Sequence, residues 1–184
     1  MDTYILLAGL AAVMFGLGAI LGAPFVPTRR AVAEEAIGLL GLKRGQLLLD
    51  LGSGSGTVLA AAGRRGLRAI GYEVNPLLYL WSKLRVARFG NRVKVRLADY
   101  WHQDLPSTDG IYVFLIGRYM EQLHHKLNIE IKRPTKVVSY AFKIPGKREI
   151  KAKDGLYLYN YYPNKETEEN LLALQSEGPA ASKP

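Results

Sequence analysis

The sequence contains no cysteine, which excludes disulfide bonds and thiolate metal sites. Histidine is also scarce and occurs only at His102 and at the adjacent positions His124 and His125. Neighbouring residues of a helix point in different directions, so this pair is not expected to share a metal ion. We therefore predict no metal site in this chain.

Two common phosphate-binding loops are missing as well. No glycine is followed by lysine and then by serine or threonine, so a P-loop is excluded. Glycines stand at positions 52, 54 and 56, whereas a dinucleotide-binding loop would need a glycine in place of Thr57. Asp50 precedes these glycines, and its carboxylate would repel a pyrophosphate but attract a cationic amino group.

Acidic residues are few in the body of the chain. Residues 27–162 carry 23 Lys or Arg against 11 Asp or Glu, a net charge of +12. Such an excess favours an anionic partner, either a membrane surface or a nucleic acid. A soluble domain with many solvated lysines is the alternative interpretation.

Charge is absent altogether from Tyr4 to Val26, and this run is almost wholly apolar. It is long enough to cross about 30 Å of hydrocarbon. Positive charges follow it, beginning with Arg29 and Arg30, so the positive-inside rule places the body on the cytoplasmic side. We predict a single-pass membrane anchor over residues 1–26. The lack of an Arg- and Ser-rich presequence favours a prokaryotic plasma membrane.

The body does contain a glycine-rich loop between an apolar strand and an alanine-rich helix. In LLLDLGSGSG, residues 47–56, the strand carries Asp50 near its end and three glycines follow. Glu73 comes 23 residues after Asp50, at the end of a second apolar strand. A carboxylate there can accept hydrogen bonds from both hydroxyls of a ribose. The pattern predicts a nucleoside-containing cofactor across the carboxyl ends of a parallel sheet, and a tight turn without a ligand is the alternative.

Apolar periodicity predicts alternating strands and helices through residues 27–162. Strands are predicted at Leu47–Leu51, Ala69–Glu73, Val93–Ala98, Gly110–Ile116, Lys136–Phe142, Arg148–Lys153 and Leu156–Tyr162. Helices are predicted at Arg29–Leu40, Thr57–Arg65, Pro76–Phe89 and Arg118–Ile131, with Thr28 capping the first and Asn75 opening the third. The alternation implies an α/β, Rossmann-like domain with a mostly parallel sheet and helices on both faces. Residues 163–184 are polar and are predicted to form a disordered tail.

The D-x-G-x-G-x-G pattern with an acid after the second strand resembles class I S-adenosylmethionine-dependent methyltransferases. The resemblance implies S-adenosylmethionine as the cofactor. Residues implied for its methionine part are Asp50, Gly52, Ser53, Gly54 and Gly56. By the same resemblance Glu73 would hold the ribose, Asp99 would accept from the adenine amino group, and Tyr100 and Trp101 would stack on the adenine ring. A packing role in the core is the alternative for Trp101.

A narrower resemblance covers roughly residues 24–145. The amino-terminal span, PFVPTRR, DLGSGSG, GYEVNP, LYLWSKLRVAR, LADYW and EQLHHKL are similar to the small membrane-anchored lysine methyltransferases of the adenine nucleotide translocase and the ATP synthase c-subunit, with their bacterial relatives. The chain departs from them at Ile116-Gly117-Arg118, where the lysine-modifying members have a Val-Pro-Gln type of segment. Arg118 would repel a lysine substrate and would favour an anionic acceptor.

The resemblance predicts a membrane-anchored methyltransferase acting on lysine of a membrane protein. A lysine amine must first lose a proton, which costs about 4 kcal/mol at neutral pH. Tyr119 and Glu121 are the acceptor-side candidates, although Glu121 could equally be an exposed helix charge. Tyr79, Trp81 and Leu84 are expected to be packing residues.

Three other functions compete with lysine methylation. A lipid or small-molecule acceptor would suit Arg118 and the basic surface. A membrane adaptor that binds S-adenosylmethionine without transferring methyl would keep the same cofactor residues. RNA methylation would suit the positive charge, but the chain has neither an Asn-Pro-Pro-Tyr-type signature nor a catalytic cysteine, and the anchor argues against it.

Overall fold

The computed structural model describes residues 3–5, 9 and 26–163 of the chain. The predicted anchor over residues 1–26 and the predicted tail over residues 163–184 therefore lie almost wholly outside the described residues. Within the described ranges, no helix is both long enough and apolar enough to cross a membrane.

The body is built around one sheet of seven strands. The strands are β1 (Leu47–Leu51), β2 (Arg68–Glu73), β3 (Val93–Leu97), β4 (Gly110–Val113), β5 (Thr135–Tyr140), β6 (Lys151–Lys153) and β7 (Leu156–Tyr161). Their order across the sheet is β3-β2-β1-β4-β5-β7-β6. Strands β1 to β5 are parallel, whereas β7 runs antiparallel to β5 and β6 antiparallel to β7. The predicted α/β fold with a mostly parallel sheet is confirmed.

Helices cover both faces of this sheet, as predicted. They are α1 (Arg30–Leu40), α2 (Thr57–Arg64), α3 (Pro76–Val86) and α4 (Met120–Glu130). Buried residues of α1 and α2 form one core cluster, whereas buried residues of α4 belong to a second. Alternation along β1 divides its side chains accordingly, with Leu48 in the first cluster and Leu49 and Leu51 in the second.

Glycine permits close packing around the carboxyl end of β1. A Cβ on Gly71 of β2 would come within 2.5 Å of Leu59 and 2.7 Å of Ser53. A Cβ on Gly56, at φ +75°, would come within 2.3 Å of the Ser82 hydroxyl on α3. The second glycine therefore lets α3 approach the loop that follows β1.

Several predicted element ends were wrong near the carboxyl edge of the sheet. Strand β4 ends at Val113 rather than Ile116, and β5 ends at Tyr140 rather than Phe142. Ala141 adopts φ 68°, a left-handed conformation that cannot continue a strand. A separate 3-10 turn at Gly117–Tyr119 precedes α4, so that helix begins at Met120. Ile116, Tyr119 and Phe142 lie beyond these strand ends and line the cavity described below.

The two predicted helix caps had different outcomes. Asn75 does cap α3, since its side-chain oxygen accepts from the amides of Leu77 at 2.9 Å and Leu78 at 3.2 Å. The cap predicted for Thr28 was wrong, because Arg29 occupies the N-cap position of α1 and no side chain caps that helix. The Thr28 hydroxyl instead lies 3.3 Å from the Tyr112 hydroxyl.

The outer face of α3 also differs from expectation. Trp81 and Leu84, predicted to be packing residues, are 60% and 78% exposed. Leu80 beside them is 55% exposed. The helix buries Leu78, Ser82 and Val86 instead, so its apolar outer face meets solvent.

Candidate active site

A cavity of about 540 Å³ opens at the carboxyl ends of β1, β2 and β4. The carboxyl edge of a parallel sheet is where ligands bind in open α/β folds. Eight of the nine predicted cofactor residues line it: Asp50, Gly52, Ser53, Gly54, Glu73, Asp99, Tyr100 and Trp101. Gly56 is outside the lining, and its contact with Ser82 gives it a packing role.

Glu73 ties the glycine-rich loop to the end of β2. One of its carboxylate oxygens accepts from the Gly54 amide at 2.6 Å, and the other accepts from the Asn75 amide at 2.8 Å. Burial raises the pKa of this carboxyl, while the amides of Asn75 and Gly54 oppose the shift. A carboxylate has about four lone-pair directions, so Glu73 retains capacity for hydroxyl donors.

The backbone amides of the glycine-rich loop are largely engaged within the protein. Gly52 and Ser53 both donate to the Tyr72 carbonyl, at 3.1 and 2.8 Å, and Gly56 donates to the Ser53 carbonyl. With Gly54 bound to Glu73, the loop is held in one conformation by its own backbone. It is a preorganised wall of the cavity.

Asp50 is buried and has one carboxylate oxygen without a hydrogen-bond partner among the described residues. Burial, together with the nearby charge of Glu73, raises the pKa of Asp50 to about 8. A buried carboxylate with an open oxygen is costly unless a donor or a cation meets it. The site therefore fits a ligand that carries a cationic amino group.

Asp99 and Tyr100 form the wall beyond β3. The two Asp99 oxygens contact the Trp101 amide at 2.9 Å and the His102 ring at 3.0 Å. The Tyr100 and Trp101 rings lie 4.7 Å apart. Burial raises the pKa of Tyr100, and its hydroxyl has no partner among the described residues. The predicted adenine-side residues are therefore brought together in one wall, where the two aromatic rings are tilted by 39° to each other.

The opposite wall is aromatic and comes mainly from residues that follow β4 and β5. Tyr112, Phe114, Tyr119 and Phe142 line it, with Trp101 at 6.3 Å from the Tyr119 ring. Thr28 and Val26, from the segment before α1, close the same cavity. Three of these residues were not predicted from the sequence as site residues: Tyr112, Phe114 and Phe142.

The pairing of β1 with β4 places Tyr112 beside a predicted cofactor residue. Tyr112 pairs with Asp50 across β1 and β4, so both residues stand at one level of the sheet. Burial raises the pKa of Tyr112, and the Thr28 hydroxyl partly opposes this shift. Its hydroxyl therefore stays protonated at neutral pH.

The two acceptor-side candidates separate in the structure. Tyr119 lines the cavity, whereas Glu121 is exposed and does not; Gln122 lines it instead. Arg118 is also exposed, and its guanidinium lies 4.7 Å from the centre of the Tyr119 ring. Within the segment that departs from the lysine-modifying pattern, Ile116 lines the cavity, whereas Gly117 and Arg118 do not.

Known proteins resemble this chain in sequence and in fold. Residues 50–151 match the family described as the ANTKMT methyltransferase domain. The ATP synthase c-subunit lysine N-methyltransferase of Mus musculus is 33% identical over 124 residues, which cover 66% of this chain and 50% of that protein. The adenine nucleotide translocase lysine N-methyltransferase of the same species is 36% identical over 125 residues, covering 65% and 55%. The chain spans about half the length of the curated relatives it matches.

Solved structures agree on the fold. The crystal structure of an RNA methyltransferase from Salinibacter ruber in complex with S-adenosyl-L-homocysteine superposes with a TM-score of 0.68 at 24% identity. The superposition covers 76% of this chain and 95% of that one. At this identity the likeness concerns the fold alone.

Proposed function

The chain belongs to the ANTKMT methyltransferase domain family, and we propose that it transfers the methyl group of S-adenosylmethionine to a lysine side chain of a membrane protein. The observation that carries this proposal is the convergence of three acids on one cavity. Asp50 and Glu73 lie at the carboxyl ends of β1 and β2, Asp99 follows the adjacent β3, and all three line the cavity together with several aromatic residues.

The described residues fit the chemical groups of this cofactor. Asp50, with its open carboxylate oxygen, would hold the ammonium group. Glu73 would accept from the ribose hydroxyls, and Asp99 with Tyr100 would meet the adenine. When bound, S-adenosylmethionine supplies a methyl group already activated by a sulfonium, so the protein has to contribute alignment and exclusion of water.

Lysine suits the remaining wall of the cavity. The rings of Tyr112, Phe114, Tyr119 and Phe142 would exclude water from an alkylamine, and desolvation lowers the pKa of an amine. The hydroxyl groups of Tyr112 and Tyr119 offer hydrogen-bond acceptors to the neutral nitrogen. The names of both curated relatives, which act on lysine, support this acceptor.

The membrane is proposed as the place where the reaction occurs. The uncharged run from Tyr4 to Val26 would anchor the chain, with the catalytic body on the cytoplasmic side of a prokaryotic plasma membrane. A tethered enzyme has a high effective concentration toward substrates in the same bilayer. The anchor therefore favours a membrane protein as the acceptor.

A transfer assay tests the proposed function. The full-length protein in detergent is incubated with host membranes and methyl-labelled S-adenosylmethionine, alongside Asp50→Asn and the matched control Glu121→Gln. We expect label in a protein band that maps to lysine, lost in the first variant and kept in the second.

The same assay separates the alternatives. Label found only in the lipid or small-molecule extract would replace lysine by another acceptor. Cofactor binding by calorimetry, with no label in any fraction, would indicate an adaptor that binds S-adenosylmethionine without transferring methyl. Neither result would be compatible with the proposed reaction.

A further inference from the structure

A second pocket, of about 340 Å³, lies where α1, α2 and the end of α3 meet. Four arginines line it together with Thr57 and Ala60: Arg30, Arg64, Arg85 and Arg88. We call these four residues the arginine pocket. None of the predicted cofactor residues lines it.

The positive charge of the arginine pocket is mostly uncompensated. Arg64 is paired with Glu34 at 2.5 Å. Across the described part of the chain, no carboxylate lies within ion-pair distance of Arg30, Arg85 or Arg88. Like charges gathered in one pocket repel each other, so a bound anion would stabilise the cluster. Guanidinium groups match the geometry of phosphate in particular.

One guanidinium is already oriented by the protein. Arg85 donates to the Thr57 hydroxyl at 2.6 Å, which fixes its side chain against the start of α2. Arg88 lies over the Phe89 ring at 4.8 Å. These two neutral contacts position the side chains and leave their charge in place.

An exposed apolar surface borders the arginine pocket. Counted from Trp81, the next three residues of this surface come three, four and seven positions later: Leu84, Arg85 and Arg88. This spacing places them on one side of α3 and of the 3-10 turn that follows it at Ala87–Arg92. Trp81 and Leu84 are the exposed apolar members of this side. Tryptophan and leucine beside arginine are typical of a helix that lies in a membrane interface, with the apolar part among acyl chains and the cations at headgroups.

The position of Arg30 points to the same surface. Arg30 stands four residues after Val26, where the predicted span ends, so at most about 15 Å of chain separates them. The arginine pocket would thus be held at the depth of the lipid headgroups. This part of the argument rests on the membrane attachment proposed above.

We propose that the arginine pocket binds the phosphate group of an anionic phospholipid, with Trp81 and Leu84 inserted beside it. The catalytic body would then rest on the bilayer in one orientation rather than swing freely on its anchor. A nucleic acid is the less suitable partner, because successive bases stack on several aromatic rings, whereas this surface offers one ring, Trp81, beside the aliphatic Leu80 and Leu84.

Binding of short-chain lipids to the full-length protein in non-ionic detergent tests the proposal. The probes are dihexanoyl phosphatidylglycerol, dihexanoyl phosphatidylcholine, inorganic phosphate and a uridine 20-mer. We expect the anionic lipid to bind and Arg30→Gln/Arg88→Gln to weaken it by roughly thirtyfold. The matched control Arg68→Gln/Lys132→Gln removes two exposed charges elsewhere and should leave binding unchanged.

Each other outcome overturns the proposal. Equal affinity for inorganic phosphate would make this a free-anion site, and tighter binding of the uridine 20-mer would make it a nucleic-acid site. An equal loss in both double variants would mean a diffuse charge effect. Binding of S-adenosylhomocysteine, measured in the same samples, shows separately whether the cofactor site is intact, so a failure here is distinguishable from a failure of the proposed reaction.

Tryptophan fluorescence tests the orientation in a bilayer. The full-length protein is placed in nanodiscs with phosphatidylglycerol carrying brominated acyl chains, which quench nearby indoles. The chain has two tryptophans, and Trp81→Phe removes the one on α3. We expect quenching that disappears in Trp81→Phe and falls in Arg30→Gln/Arg88→Gln. Emission from Trp81 that bromine does not quench would contradict insertion.

Discussion

The Glu73 carboxylate holds the Gly54 amide at 2.6 Å, which joins the loop after β1 to the end of β2. Two residues that are nineteen positions apart in the sequence are thereby fixed at one side of the cavity. Glu73 faces the proposed ribose and also maintains the shape of the loop. A single substitution of Glu73 would therefore affect both cofactor binding and the loop conformation.

Glu73→Gln should weaken cofactor binding because it also disturbs the loop after β1. The amide side chain keeps one acceptor but presents a donor toward a backbone N–H, and each hydrogen bond to a charged group contributes about 2 kcal/mol. We expect roughly thirtyfold weaker binding of S-adenosylhomocysteine by calorimetry. Glu121→Gln, which neutralises an exposed carboxylate outside the cavity, serves as the control and should bind normally.

The pH dependence of stability should reveal Asp50. Burial raises its pKa to about 8, so the folded protein favours the protonated carboxyl over the ionised one. The contribution of the protonated Asp50 to the free energy of unfolding is fully present below the ordinary pKa of an aspartate, near 4, and is lost as the pH rises toward 8. Asp50→Asn should therefore raise the Tm of the cofactor-free protein at pH 9 by several degrees relative to the parent chain, with little difference at pH 4. Equal melting shifts at both pH values would exclude this explanation.

Cofactor affinity should change in the opposite direction. A cationic amino group favours the ionised form of Asp50, so the carboxyl releases a proton when the ligand binds below pH 8. We expect the affinity for S-adenosylhomocysteine to rise by up to tenfold per unit between pH 6 and 7.5. Calorimetry in buffers of different ionisation enthalpy would detect the released proton. In Asp50→Asn the affinity should be weak, and its pH dependence should be flat.

Gly56→Ala tests the close approach of α3 to the loop. The new Cβ would meet the Ser82 hydroxyl at 2.3 Å and would also occupy a positive φ. Gly146→Ala is a matched control, because Gly146 has a similar φ of 70° but open space around it. We expect both variants to lose about 1 kcal/mol from the backbone, and Gly56→Ala to lose a further 1–3 kcal/mol from overpacking. Urea unfolding measures the difference.

Tyr119 and Glu121 should have unequal effects on methyl transfer. Tyr119→Ala removes part of the aromatic wall and should slow transfer at least tenfold, because a wetter site leaves the acceptor amine protonated. A rise in the pH optimum of this variant would identify the protonation of the amine as the cause. Glu121→Gln should retain transfer within twofold, since its side chain lies outside the cavity.

The regular parts of this molecule were predictable because their signals are local. The apolar runs around Leu49 and Ile70 define parallel strands, and the glycines after Asp50 define the turn from β1 into α2. Since the carboxyl ends of parallel strands meet at one edge, the meeting of Asp50, Glu73 and Asp99 follows from chain order alone.

The acceptor wall was less predictable because it depends on turns and on helix phase. The 3-10 turn before α4 places Gln122 toward the cavity and leaves Glu121 in solvent, and periodicity within the helix carries no information about that rotation. Phe142 enters the cavity because Ala141 reverses the backbone after β5. An alanine at positive φ has no sequence signature, unlike an aspartate such as Asp154.

The exposure of Trp81 has a different physical origin. An aromatic and leucine-rich helix predicts a buried surface when only the chain itself is considered, yet α3 turns its smaller side inward and packs Ser82 against Gly56. Only the volume available between α2 and α3 decides this orientation, and sequence patterns do not record it.

Thr57 lines both the cofactor cavity and the arginine pocket. One residue at the start of α2 would therefore lie between the two proposed ligands. If binding in one pocket changes the binding free energy in the other, the second ligand must change the binding free energy of the first by the same amount, since linkage between binding sites is reciprocal. A bilayer would in that case act as an effector of cofactor affinity, and the cofactor as an effector of adhesion to the bilayer.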